Sequence, residues 1–120
     1  MSDTRHLDRL LSVHLFRQWR FWHNGGETYV YHKDGSDSIL PHYSSAWEGM
    51  RLVVEAIIRD DWEVSAEYSA YWQDQEDTGW RAVLRCIRGQ RQVVPAYAPT
   101  APEAVGRAAL AALGVEVEEA

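Results

Sequence analysis

The sequence predicts an α+β domain, with an antiparallel sheet of about four strands packed with three helices in the order α-β-α-β-β-β-α, an α/β/α-type sandwich. Three observations predict it. Apolar residues recur at helical spacing in three stretches. Strict alternation runs from Asp61 to Trp72. The connections after that run are short, which makes the later strands antiparallel neighbours.

The first helix spans Thr4 to Trp19, with Leu7, Leu10, Leu11, Leu15 and Trp19 on one apolar stripe and Asp3 or Thr4 as its cap. Arg20-Phe21-Trp22-His23 leads into Asn24-Gly25-Gly26, a turn. Glu27 to His32 alternates as a strand and is followed by the turn Lys33-Asp34-Gly35-Ser36. The second helix follows Leu40-Pro41-His42-Tyr43, where Ser45 and Glu48 have capping-box spacing and Trp47, Met50, Val54, Ile57 and Ile58 supply a buried face.

In the run from Asp61, residues Trp62, Val64, Ala66, Tyr68, Ala70 and Trp72 share one face and the polar residues the other. Gln73 to Gly79 is an acidic loop, and Trp80 to Ile87 is the next strand. Arg88-Gly89 turns the chain into Gln90 to Ala98, where Pro95 marks an edge because it cannot donate to a ladder. Thr100, Pro102 and Glu103 open the last helix. Ala101, Ala104, Val105, Ala108, Ala112 and Leu113 give it a small-residue face, and Gly114 ends it.

The 120 residues suffice for one core, placed at 1–115, with 116–120 as an acidic tail. A hydrophobic share of 46% excludes disorder as the main state. No apolar run has membrane-spanning length, and the start has no secretory-leader pattern, so an intracellular protein is expected. The net charge of −6 argues against long nucleic acid as a partner but leaves local basic sites open. Cys86 is the lone cysteine, and the five histidines lack zinc-ligand spacing, so no disulfide framework, metal or cofactor is expected. Six tryptophans are many for so small a domain. Trp47, Trp62 and Trp19 are assigned to the core. Trp22, Trp72 and Trp80, at element ends, are assigned to an interface or a ligand.

No nucleophile–base arrangement stands out, which points to binding rather than catalysis. Arg107 falls one turn after Glu103 and two after Thr100, on a face opposite the alanine stripe. It is either a phosphate fork or half of an exposed ion pair with Glu103. Arg17 and Arg20 flank Trp19 and precede Phe21-Trp22, a cation-beside-ring pattern that suits nucleotides. Tyr43 and Ser44 precede a helix whose first amides could hold an anion, with ordinary capping as the alternative. Arg81 and Arg85 share a strand face with Val83 and Ile87, at a sheet margin or a subunit contact, with a solvated edge that discourages aggregation as the alternative.

Two segments resemble the phage ABA sandwich domain family: Pro41-His42-Tyr43-Ser44-Ser45 with Val53-Val54-Glu55, and Thr100-Ala101-Pro102 followed by Arg107-Ala108-Ala109-Leu110. Leu7-Asp8, Leu10-Leu11, Trp19 and the Asp34-Gly35 turn are similar in kind and position, whereas Ala46, Arg51, Glu103 and Gly106 depart from the pattern. The resemblance implies a phage or prophage protein acting in the host cytoplasm. One similar branch, the Thoeris anti-defence proteins, implies a homo-oligomeric, non-enzymatic sponge that grips a cyclic nucleotide immune signal through arginines and an aromatic ring. On that basis the ligand-binding set is Arg107, Thr100, Tyr43, Ser44, Trp80, Arg20 and Trp22. The alternative is a phage protein that inhibits a host or defence protein by direct contact.

Overall fold

The computed structural model describes residues 4–68, 79–86 and 93–117. The chain runs α1 (Thr4–His14), β1 (Phe21–Asn24), β2 (Glu27–Tyr31), β3 (Asp37–Ile39), α2 (Trp47–Arg59), β4 (Trp62–Tyr68), β5 (Trp80–Cys86), β6 (Val93–Ala98) and α3 (Ala101–Ala112). The class is α+β, as expected. Among the described residues the strands number six, in two antiparallel three-stranded sheets ordered β1-β2-β3 and β4-β5-β6, rather than about four.

The two added strands have local causes. Gly25 and Gly26 adopt φ of +60° and +82°, the mirror-image turn that closes a two-residue hairpin, so Asn24 pairs with Glu27 and Phe21 with Val30. The segment before the Asn24-Gly25-Gly26 turn, which the sequence reading assigns to no element, is thereby a strand. β3 has three residues, all exposed, and shows no alternation to read.

α1 is shorter than expected, because its end is tied off early. Leu15 and Phe16 amides both donate to the Leu11 carbonyl, Arg17 turns left-handed at φ +60°, and Gln18 N–H donates to Ser12 O at 2.8 Å. Buried Ser12 answers by donating its hydroxyl to the Gln18 carbonyl. Trp19 therefore lies beyond the helix and is 64% exposed, not core.

α2 also begins differently from its expected capping box. Ala46 is the N-cap with no side-chain hydrogen bond, Ser45 Oγ sits 3.4 Å from His42 Nδ1, and Glu48 pairs with Arg51. Trp47, at the first helical position, is 62% exposed with one edge against Trp80, and Ile58 is exposed as well. Ile57 is buried and Met50 and Val54 pack against the core, as expected, and Gly49 and Val53 join them on the inward face.

α3 lies at the centre, buried from Ala101 to Gly106 and from Ala108 to Leu110. Its small residues let β5 and β6 approach on one side and α1 and α2 on the other, while α2 also covers β4. Thr100 caps it by accepting from Glu103 N–H, as the sequence predicts. The Glu103 carboxylate does not close the box; it accepts from Arg107 Nε at 2.9 Å. Gly114, at φ +76°, ends the helix.

Leu7, Leu11, Leu40, Val53, Ala82, Leu84, Ala98, Ala108 and Leu110 form the centre of the core. Arg5 docks the small sheet onto α1: its guanidinium donates to Asp8 Oδ2 and Glu27 Oε1 at 2.8 Å each, and to the Leu40 and Pro41 carbonyls. The outward face of the β4-β5-β6 sheet carries Glu63, Ser65 and Glu67, then Arg81, Val83 and Arg85, then Val93, Pro95 and Tyr97. Pro95 is on an edge strand, as expected. Trp72, the Arg88-Gly89 turn, residues 73–78 of the acidic loop and residues 118–120 of the tail fall outside the described residues. No helix among the described residues is long and apolar enough to cross a membrane.

Candidate functional site

The segment that follows α1 and the turn that follows β2 face each other across a cleft of roughly 730 Å³, lined by Phe16, Arg17, Gln18, Trp19, Arg20, Tyr31, His32, Lys33, Asp34 and Gly35. That volume falls within the range of small-molecule sites. Both walls are held by the backbone. On one wall, the Ser12–Gln18 exchange pins the chain after α1. On the other, Tyr31 N–H donates to the Arg20 carbonyl at 2.9 Å and so extends the β1-β2 ladder to the cleft's edge. His32 N–H donates to Ser36 O, and Gly35, at φ +89°, turns the chain so that its N–H reaches the His32 carbonyl.

The charge of the cleft opposes that of the chain. Arg17, Arg20 and Lys33 stand against the single carboxylate of Asp34. None of the three cations has an ion-pair partner among the described residues. Asp34 is engaged within its own turn, where its Oδ1 accepts from Ser36 N–H at 2.9 Å and Ser36 Oγ–H at 2.5 Å. Those bonds hold its carboxyl below the ordinary range. Arg20 lies 6.0 Å from the centroid of the Tyr31 ring, within cation–π reach. His32 is held at both nitrogens, with Gln18 Nε2 3.2 Å from Nδ1 and Ser38 Oγ 2.7 Å from Nε2. An amide that donates to Nδ1 leaves the proton on Nε2.

Beside the cleft, the outer face of the small sheet is aromatic. Trp22 stacks on Tyr29 at 4.3 Å and lies 6.3 Å from Tyr31, and its indole N–H donates to Asp37. Tyr31 thus belongs both to the cleft and to this face.

Of the residues singled out in the sequence, the structure brings Arg20 to the cleft and Trp22 to the adjoining face. Trp80 lies elsewhere, edge-on to Trp47 at 5.9 Å and tilted against Tyr68. Tyr43 and Ser44 are buried: Tyr43 stacks on Phe16 at 4.6 Å, and Ser44 bonds to Asp8 and to the Thr4 carbonyl. Arg107 is largely buried and ion-paired to buried Glu103, so the face opposite the alanine stripe lies inside the protein rather than in solvent. Thr100 is spent on its cap. The seven residues do not converge on one place.

Lys33, Asp34, Gly35 and His32 are legible in the sequence only as turn and strand, whereas Trp19 is assigned to the core although Arg17 and Arg20 flank it. The usable signal was a lysine placed in the turn directly after two tyrosines of a strand. Among the described residues no group of three His, Cys, Asp or Glu side chains could hold a metal ion.

No protein-family model matches the chain, and no curated protein does. The resemblance to the phage ABA sandwich family therefore has no family-model match behind it. Among solved structures, a phage protein from Bacillus cereus ATCC 14579 matches with a TM-score of 0.69 at 19% sequence identity, over 98% of this chain and 94% of that one. At that identity the two share a fold.

Proposed function

We propose that this is a phage protein of the host cytoplasm that binds and sequesters a small phosphate-bearing nucleotide without chemistry, of the cyclic signalling class to which its sequence resemblance points. The observation that supports the reading is the cleft, where three cations with no described ion-pair partner stand beside two exposed rings, Trp19 and Tyr31. Arginine supplies a planar fork for phosphate oxygens, and a stacked base contributes about 1–3 kcal/mol. The acid–base groups of the cleft, His32 and Asp34, are both held by internal hydrogen bonds, an arrangement suited to shape rather than proton transfer.

A second reading has its own observation. The outer face of the small sheet, where exposed Tyr31 and Ile39 flank the half-buried Trp22–Tyr29 stack, suits contact with a host or defence protein.

Calorimetry with cyclic ADP-ribose isomers and cyclic di- and trinucleotides tests the first. A Kd below about 10 μM (about −7 kcal/mol) for one of them, weakened at least tenfold in Arg20→Ala, and ligand recovered unaltered after heating, support it. No binding across the panel removes it in favour of the second.

A further inference from the structure

We propose that the outward face of the β4-β5-β6 sheet binds a second copy of this chain, face to face about a two-fold axis parallel to the strands. The face is ordered by column: β4 presents Glu63, Ser65 and Glu67, β5 presents Arg81, Val83 and Arg85, and β6 presents Val93, Pro95 and Tyr97. The described helices pack through the opposite face, by way of Ala82, Leu84, Val94 and Ala98. Seven of the nine outward residues are exposed, and Arg81 and Val83 are half-buried.

The rows are aligned. Glu63 stands opposite Arg85, Ser65 opposite Val83, and Glu67 opposite Arg81. Glu67 and Arg81 form an ion pair within the chain. Glu63 and Arg85, two rows away, have no ion-pair partner among the described residues although they face each other across the ladder. A two-fold axis running between β4 and β5 lays each acidic β4 column on the basic β5 column of the other copy at the same height. Glu63 then meets the partner's Arg85 twice over, Ser65 meets the partner's Val83, and the apolar β6 columns border the contact.

The other axis in the plane, perpendicular to the strands, would place Glu63 on the partner's Glu67 and Arg85 on the partner's Arg81. Like charges exclude it. A two-fold contact uses the same patch on both copies and so closes as a dimer. A three-stranded face of this length spans about 14 by 20 Å, roughly 560 Å² over both copies, which is below the size of stable specific interfaces and makes the dimer a weak, transient one.

Sedimentation equilibrium of the full chain from 1 to 500 μM (about the range for a small interface) tests it. The expected result is a monomer–dimer equilibrium that weakens as salt rises. Glu63→Arg and Arg85→Glu should each raise the dimer Kd about tenfold or more, and the double exchange should restore it, since it rebuilds the same pairs in reverse. Both sites point outward, so far-UV circular dichroism should be unchanged. A monomer at the highest concentration, a dimer indifferent to both single changes, or a double variant no better than the singles would each overturn the proposal.

Discussion

Asp8 and Ser44 are joined by two hydrogen bonds, with Asp8 Oδ1 accepting from the Ser44 N–H at 2.8 Å and from its hydroxyl at 2.7 Å, both residues fully buried. The other carboxylate oxygen takes Arg5 at 2.8 Å. Three donors thus depend on one carboxylate that has no contact with water. It ties α1 to the chain that enters α2, and through Arg5 to the small sheet. Asp8→Ala would strand the backbone N–H of Ser44 and leave Arg5 with Glu27 alone as counter-charge. We expect a loss of about 3–5 kcal/mol, against about 1–2 kcal/mol for Ser44→Ala. Urea unfolding of both variants checks the order, and a loss for Asp8→Ala no larger than for Ser44→Ala would refute it.

Two glycines on helices make opposite predictions. A Cβ on Gly49 would lie 2.1 Å from the His42 carbonyl oxygen and 2.8 Å from Tyr43 Cα, both backbone atoms that cannot turn away. A Cβ on Gly106 would meet Leu11 Cδ1 at 3.2 Å, the end of a side chain that can yield by a few tenths of an ångström, and Ser44 Cβ at 3.4 Å, the near edge of ordinary contact. Gly49→Ala should cost more than about 3 kcal/mol. Gly106→Ala should stay within about 1 kcal/mol of wild type, since the helix propensity gained offsets the crowding. Thermal unfolding separates the two. Equal stabilities would mean that the 42–43 segment does not lie against α2.

Tyr43 makes alkaline stability predictable. Burial, and then the negative charge of Asp8, push its phenol up to about 12 from an ordinary 10. Folding therefore favours the neutral phenol. Its contribution is fully present below pH 10 and is lost as pH rises from 10 towards 12. The ceiling is about 2–3 kcal/mol. Tyr43→Phe keeps a ring to stack on Phe16 and removes the titration. Denaturant midpoints at pH 8, 10 and 11.5 should fall more steeply for wild type than for the variant. Parallel curves would mean that Tyr43 is not buried against Asp8.

What the residues disclosed, and what they withheld, divides along the range of the interactions. The Thr100 cap, the Gly114 stop and the Pro95 edge are local effects, and each is found where the sequence places it. The small sheet is half hidden, because the four residues of β1 are too few to show a period and Asp37 to Ile39 have no buried face to alternate. The tryptophans misled for another reason. Hydrophobic character does not say where an element ends: Trp19 lies five residues beyond the end of α1, and Trp47 is the exposed first residue of α2. The cleft needed the fold itself: Arg17 and Arg20 are only basic residues near rings until the hairpin returns Tyr31 and Lys33 to their side. Arg107 shows the converse. Its sequence context suits a phosphate, and tertiary packing assigns it to Glu103.

Arg17 occupies a position that glycine would fill more cheaply. Its φ of +60° is the left-handed conformation at the end of α1, which disfavours any residue with a Cβ by about 1–2 kcal/mol. Part of that is returned by the freedom glycine has in the unfolded chain, so Arg17→Gly should stabilise the protein by about 0.5–1 kcal/mol. The same change deletes one of three cations from the cleft. A residue kept at a conformational cost, with its side chain exposed and without an ion-pair partner among the described residues, fits a role in holding an anion. Arg17→Gly should therefore raise the melting temperature and weaken nucleotide binding together, whereas Arg17→Ala should weaken binding at unchanged stability. Scanning calorimetry with titration of the same samples measures both. A more stable Arg17→Gly variant that binds as tightly as wild type would leave the strain at Arg17 unrelated to the ligand and would remove Arg17 from the site.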